Sequence, residues 1–165
     1  MTVRRKTDVE DAPSAFSKAL GWAARRERSS QDLTRKLVQT GYARDEAEQA
    51  LLRLQELDFQ NDARFAGAFV RTRIGQGYGP RRIAADLRGH GFDDAAIRAE
   101  FEAEAPDWMA LARDLFRRRF GTKPTFDRAE TARRAAFLLR RGFDAATVRS
   151  LTHANDVDDS AEEFD

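Results

Sequence analysis

The sequence predicts an all-α protein built as three tandem three-helix repeats. Three observations carry this. Gly41-Tyr42, Gly91-Phe92 and Gly142-Phe143 recur at intervals of 50 and 51 residues. Apolar residues before and after each glycine recur at helical spacing. Strand signals are weak: long period-2 alternation is missing, β-branched residues are few, and no Asn-Gly or Asp-Gly turn occurs. A period of this size is one helical unit copied three times. Such arrays usually offer a surface rather than a pocket.

The first repeat is expected over residues 14–60, the second over 61–106 and the third over 107–153. In the first, Phe16, Leu20 and Ala23 line one face of a helix ending near Arg28. Ser29 or Ser30 caps the next helix, Leu33 and Leu37 follow at i, i+4, and Gly41 ends it in a left-handed conformation. Ala47, Leu51 and Leu54 make the third stripe. In the second repeat Asp62 is read as the cap of a helix bearing Phe65, Ala66, Phe69 and Val70. Pro80 stands at a first helical position, Ile83 and Leu87 repeat the Leu33 and Leu37 pair, and Gly91 repeats the stop. Asp93 caps the sixth helix, with Ile97 and Phe101 on its apolar side. In the third repeat Trp108, Leu111, Leu115 and Phe116 form a stripe, and Asp127 with Glu130 resembles a capping pair. Ala135, Leu138, Leu139, Gly142, Val148 and Leu151 complete it. Arg134 stands where Leu33 and Ile83 stand in the other repeats. Phe65, Phe69, Phe92, Phe101 and Phe116 fall at core spacing, whereas Tyr78 lies in a glycine-rich turn.

The chain has 165 residues, is 41% apolar and 35% charged, and contains no cysteine. Disulfide frameworks and thiolate zinc sites are thereby excluded. No apolar run is long enough to cross a membrane, and Met1 to Pro13 has no apolar core of a secretory signal. A cytoplasmic location is expected. Residues 1–13 read as a disordered lead and 154–165 as a disordered acidic tail. His153 to Asp165 carries six acidic groups and no Lys or Arg, and residues 1–13 sum to zero. The body therefore carries +7 within a net charge of +1. A basic body points to an anionic partner. The preference for Arg (25 against 4 Lys) also fits the codon usage of a GC-rich genome, given the abundant alanine.

Enzyme signatures are missing. His90 and His153 lie far apart, and His90 sits between glycines at a helix end, where it suits the C-terminal dipole. Gly75-Gln76-Gly77-Tyr78-Gly79 follows a helix rather than a strand, so it reads as a connector and not a nucleotide fingerprint. No catalytic residue, metal ligand or cofactor is assigned.

The arginines sort by position. Arg25, Arg26 and Arg28 close a helix, where cations are favoured. So do Arg117, Arg118 and Arg119. Arg81 and Arg82 occupy the first turn of a helix, where the dipole disfavours them. Two readings stay open there: an anion docks on the helix N-terminus, or Asp86 supplies a local ion pair. On the preceding helix Arg64 and Arg71 fall within about 20° of each other, opposite the apolar residues, as an outward basic stripe. From Asn61 to Phe92 there are six arginines against two acids.

Asn61-Asp62-Ala63-Arg64-Phe65-Ala66, then Gly77-Tyr78-Gly79-Pro80-Arg81-Arg82-Ile83, Leu87 and Gly91, resemble the RecX family of recombination regulators. Ala24-Arg25-Arg26-Glu27-Arg28-Ser29 with Leu33 and Leu37 is similar to that family's first repeat, and Ala136-Phe137-Leu138 with Arg141-Gly142-Phe143 to its last. The resemblance covers roughly residues 14–152 and leaves the acidic tail out. It implies three three-helix repeats in an elongated, curved array. It implies binding to the RecA recombinase and its filament on single-stranded DNA, limiting filament growth, ATP hydrolysis and strand exchange. Weak DNA binding and the absence of a cofactor are also implied. On this reading Arg64, Arg71, Arg81 and Arg82, with Arg25, Arg26 and Tyr78, are the candidate contacts, and the chain is expected to act as a monomer. Two rivals remain from the residues alone: a basic helical DNA-binding module, and a helical adaptor for another protein. The tail is either solubilising or a cover for the basic surface.

Overall fold

The structure is a computed structural model that describes residues 13–153. The acidic tail and all of the expected lead except Pro13 lie outside the described residues. The described residues form nine α-helices and no strand: α1 (Ala15–Ala23), α2 (Ser30–Gln39), α3 (Arg44–Glu56), α4 (Asp62–Gly75), α5 (Pro80–Gly89), α6 (Asp94–Glu104), α7 (Trp108–Phe120), α8 (Arg128–Arg141) and α9 (Ala145–Thr152). They pack as two compact units, divided after Ala66.

In the first unit α1 and α2 pack on α3 around Ala15, Ala19, Leu33, Leu37, Ala47, Ala50 and Leu54. Phe16 and Leu20 are only half-buried, so the inward stripe of α1 is centred one residue earlier than expected. The reason is size: alanines on both α1 and α3 let the two helices approach closely, which pushes the larger side chains to the flanks. Ser29 caps α2 through the Asp32 N–H at 3.1 Å.

The expected cap at Asp62 is corrected. Asn61 caps α4 instead, its Oδ1 accepting the Arg64 N–H at 3.0 Å. Asp62 turns to α2. Its carboxylate accepts the Ser30 N–H at 2.8 Å, the Ser30 hydroxyl at 2.6 Å and the Gln60 amide at 2.9 Å. A charged acceptor is worth more at the N-terminus of α2, where the Ser29 cap leaves the Ser30 N–H unmet, than on its own helix, where Asn61 already serves.

The second unit gathers Ala112, Leu138, Phe143 and Val148, flanked by Trp108, Leu115, Phe116, Ala135, Phe137 and Leu151. Of the phenylalanines assigned to the core, Phe65 is buried while Phe69, Phe92, Phe101 and Phe116 are half-buried. Phe143, next to the repeat glycine, is the one fully enclosed. Arg134 fills the Leu33 and Ile83 position with its side chain only 13% exposed. Glu130 (2.8 Å), the Lys123 carbonyl (3.2 Å) and the rings of Phe116 and Phe120 receive it. Glu130 therefore serves Arg134 and Arg133 rather than a capping box, and Asp127 caps α8 through Ala129.

The repeat signal has one local cause. Gly41, Gly91 and Gly142 have φ of 104°, 93° and 97°. At each, the glycine N–H bonds three residues back and the next N–H five residues back: Tyr42 to Leu37, Phe92 to Leu87, Phe143 to Leu138. This is the same left-handed helix stop built three times.

Candidate partner-binding surface

The Gly-Tyr-Gly-Pro turn leads into α5 and meets the end of α8. The Gly79 N–H donates to the Arg141 carbonyl at 2.7 Å and the Arg81 N–H to the Gly142 carbonyl at 3.0 Å. The N-terminus of one helix therefore caps the C-terminus of another, partial positive charge against partial negative. A side chain has no room there. A Cβ on Gly79 would lie 2.6 Å from the Gly142 carbonyl carbon, and one on Gly142 would lie 2.5 Å from the Arg82 Cβ. This corrects the idea of an anion docked on exposed N–H groups at α5: peptide carbonyls already occupy that position.

Arg81 and Arg82 then have different surroundings. Arg82 Nε pairs with Asp86 Oδ1 at 3.3 Å, and Arg73 Nη2 with Asp86 Oδ2 at 3.2 Å. Of the two open readings, the local ion pair is therefore the one realised, and by Arg82. Arg81 is exposed on the same turn. Asp144 is held below the ordinary carboxylate range, chiefly by the Thr147 N–H it accepts, with Arg81 adding to this. Tyr78 is half-buried. Its ring centre lies 5.2 Å from the guanidinium of Arg141, 5.3 Å from that of Arg73 and 5.8 Å from that of Arg82. Arg141 also donates to the Gln76 carbonyl at 2.9 Å. Three cations around one ring make Tyr78 part of the joint and not an open stacking platform.

Arg64 and Arg71 do not form the free basic stripe expected of them. Arg64 Nε pairs with Glu27 at 2.5 Å, and its Nη atoms hold the Asp58 carboxylate at 3.2 Å and carbonyl at 3.1 Å. Asp58 is a non-glycine residue at φ 56°, and the guanidinium pins it there. Arg71 pairs with Glu104 beside Gly67, whose open face admits Arg71, Glu100 and Glu104 together. Burial, then Glu104, raises the Glu100 carboxyl above its usual value, with Arg71 opposing. Helical periodicity reports direction from an axis; it does not report which carboxylates the rest of the fold brings to that face.

Arg25 and Arg26 are exposed just beyond the Ala24 cap of α1. Lys36, in the last turn of α2, sits 4.4 Å over the Trp22 ring. Its ammonium is held below the ordinary lysine value by desolvation first, then by Arg28, Arg26, Arg25 and Lys18. Burial likewise lowers Arg28, helped by Arg26 and opposed by Asp32, and its Nε is buried without a hydrogen-bond partner. Lys18 and Lys36 escape the sequence reading because α1, the following turn and α2 meet only in the folded unit. The absence of Asp and Glu from Ser14 to Arg26 was the available signal.

Among the described residues, no group of three or more His, Asp or Glu is placed to hold a metal ion. No helix there is long and apolar enough to cross a membrane. Fold and surface together define a tandem array of three three-helix repeats with arginine-rich faces.

Comparison with known proteins places that array. The first, second and third three-helix domains of RecX match residues 15–54, 61–99 and 106–151. The regulatory protein RecX of Stenotrophomonas maltophilia (strain R551-3) is 42% identical over 151 residues, covering 92% of this chain and 91% of the relative. That of Xanthomonas axonopodis pv. citri (strain 306) is 45% identical over 135 residues, covering 82% and 83%. The crystal structure of RecX from Lactobacillus salivarius superposes with a TM-score of 0.71 at 21% identity, covering 86% of this chain and 94% of that one. This chain belongs to the RecX family.

Proposed function

We propose that this protein is a non-enzymatic, cytoplasmic negative regulator of the RecA recombinase. It binds RecA and its filament on single-stranded DNA, and limits filament growth, ATP hydrolysis and strand exchange. Family membership over nearly the whole chain carries the reading. The surface supports it with cations offered outward, on elements held by glycine joints and ion pairs.

The mechanism is a wedge. Exposed cations, Arg81 in the second repeat and Arg25 with Arg26 in the first, reach acidic groups or phosphates of the filament. Arg82 and Tyr78 hold the α5 turn that presents Arg81. Arg64 and Arg71 act from within, through Glu27, Asp58 and Glu104. A body so seated blocks subunit addition or the rearrangement that ATP turnover needs. Sedimentation with preformed RecA filaments on single-stranded DNA tests the binding step. The monomeric protein pellets with filaments and stays in the supernatant without them; equal recovery in both contradicts the proposal.

A further inference from the structure

We infer that residues 154–165 dock, within the same molecule, on a cationic cleft of the third repeat, where the segment joining α7 to α8 meets the end of α9. The docked segment covers the unpaired cations of that repeat. The inference stands apart from the regulator reading and does not need it.

The cleft has a volume of about 280 Å³. Phe116 and Leu151, both half-buried, give it an apolar wall. Arg113, Arg117 and Lys123 line it as exposed cations. No Asp or Glu among the described residues lines it. Arg134 also reaches the cleft, but Glu130 at 2.8 Å already meets its charge. Arg117 shares Asp114 with Arg118, at 3.0 and 3.2 Å, so one carboxylate serves two guanidiniums. Arg113 and Lys123 have no carboxylate partner among the described residues. From Arg113 to Lys123 the chain has five cations and one acid. Positive charge is therefore left over beside an apolar surface.

The place where the described chain stops points to the occupant. Thr152, the last residue of α9, itself lines the cleft. Residues 154–165 come one position after His153 and lie outside the described residues. They carry six acids, no Lys or Arg, and two large apolar residues, Val157 and Phe164. Each apolar residue has a carboxylate on both sides: Asp156 and Asp158, Glu163 and Asp165. Anionic groups around an apolar side chain complement a cleft with cations around an apolar wall. Phe164 is the larger anchor; it seats against Phe116 and Leu151 while its acidic neighbours meet Arg113 and Lys123. Reach is no obstacle, because the twelve residues from Thr152 to Phe164 extend to about 40 Å. Attachment to α9 gives an effective concentration on the order of millimolar. Contacts too weak to hold a free acidic peptide are then sufficient. The same tether favours this segment over that of a second copy at micromolar protein.

Zero-length carbodiimide cross-linking of the full chain at micromolar concentration and low salt, mapped by mass spectrometry, tests this. The expected product joins Lys123 to a carboxylate of residues 156–165 in the same chain. Its yield falls at least about threefold in about 0.5 M salt, where charges are screened. Phe164→Ala lies outside the helical core and is expected to lower the yield at least about twofold by removing the apolar anchor. A segment that merely trails from α9 also meets Lys123 by chance, but its yield does not respond to Phe164→Ala. No link at Lys123, or an equal yield from Phe164→Ala, overturns the inference. Links made mainly to Lys18 or Lys36 overturn it too, because the segment then covers the first repeat. Links between chains, in a mixture of ordinary and nitrogen-15-labelled protein, assign the cleft to a second copy and overturn it likewise. None of these outcomes depends on RecA binding, so the regulator reading stands or falls separately.

Discussion

Gly79 lies with its backbone against that of Gly142, 63 positions along the chain, so closely that neither accepts a side chain. The Gly79 and Arg81 N–H groups bond the last carbonyls of α8 across this contact. The glycine that ends the third repeat's middle helix therefore also seats that helix on the second repeat's.

Replacing either glycine separates the two helix ends. Gly79→Ala and Gly142→Ala are each expected to cost about 2–4 kcal/mol, by steric overlap and, at Gly142, by the left-handed backbone as well. Gly21→Ala is the control: its position is helical and open, so stability is expected to rise by about 0.5–1 kcal/mol. Urea unfolding followed by circular dichroism checks all three.

Asp62→Ala removes acceptors from the Ser30 N–H, the Ser30 hydroxyl and the Gln60 amide, the last in a residue only 2% exposed. A loss of about 1–3 kcal/mol is expected. Asn61→Ala removes only an exposed cap and is expected to cost about 1 kcal/mol. If the order of these two losses reverses, Asp62 does not cap α2.

Arg64 and Arg81 separate structure from contact. Arg64→Ala is expected to lower Tm, because Asp58 loses its clamp, and Arg64→Lys does not restore it, since one ammonium cannot replace the fork. Arg81→Ala is expected to leave Tm unchanged and to weaken filament binding. Thermal melts beside filament sedimentation check the pair.

Glu130 sets an acid limit. Its hydrogen bond with Arg134 comes first among the causes that hold its pKa below the ordinary glutamate value. The folded state thus binds its proton less readily than the unfolded chain. Stability from this pair is complete above the unfolded value and is lost as pH falls through the folded one. Glu130→Gln is expected to reduce stability at neutral pH and to flatten its decline in that acid window, read by urea unfolding across pH.

The helices were legible because their causes are local. Leu33 and Leu37, Ile83 and Leu87, and the glycines after them announce both the helix and its stop. Asp93 caps where its position says it should. The site was less legible because its causes are remote. Arg64 was read as an outward cation, but Glu27 comes back to it across 37 positions. A docked anion is one of the two readings the sequence leaves open at the N-terminus of α5, but α8 fills that place from the next repeat. Charge sequence alone shows how many cations there are; tertiary packing decides which remain unpaired, and it left Arg25, Arg26 and Arg81 outward while engaging Arg64, Arg71 and Arg82.

The central claim is most directly tested by the ATPase rate of RecA on single-stranded DNA while this protein is titrated in. The account predicts inhibition at well below one molecule per recombinase subunit, because a wedge that stops growth acts on many subunits. An unchanged rate, with the protein shown folded by circular dichroism, contradicts it.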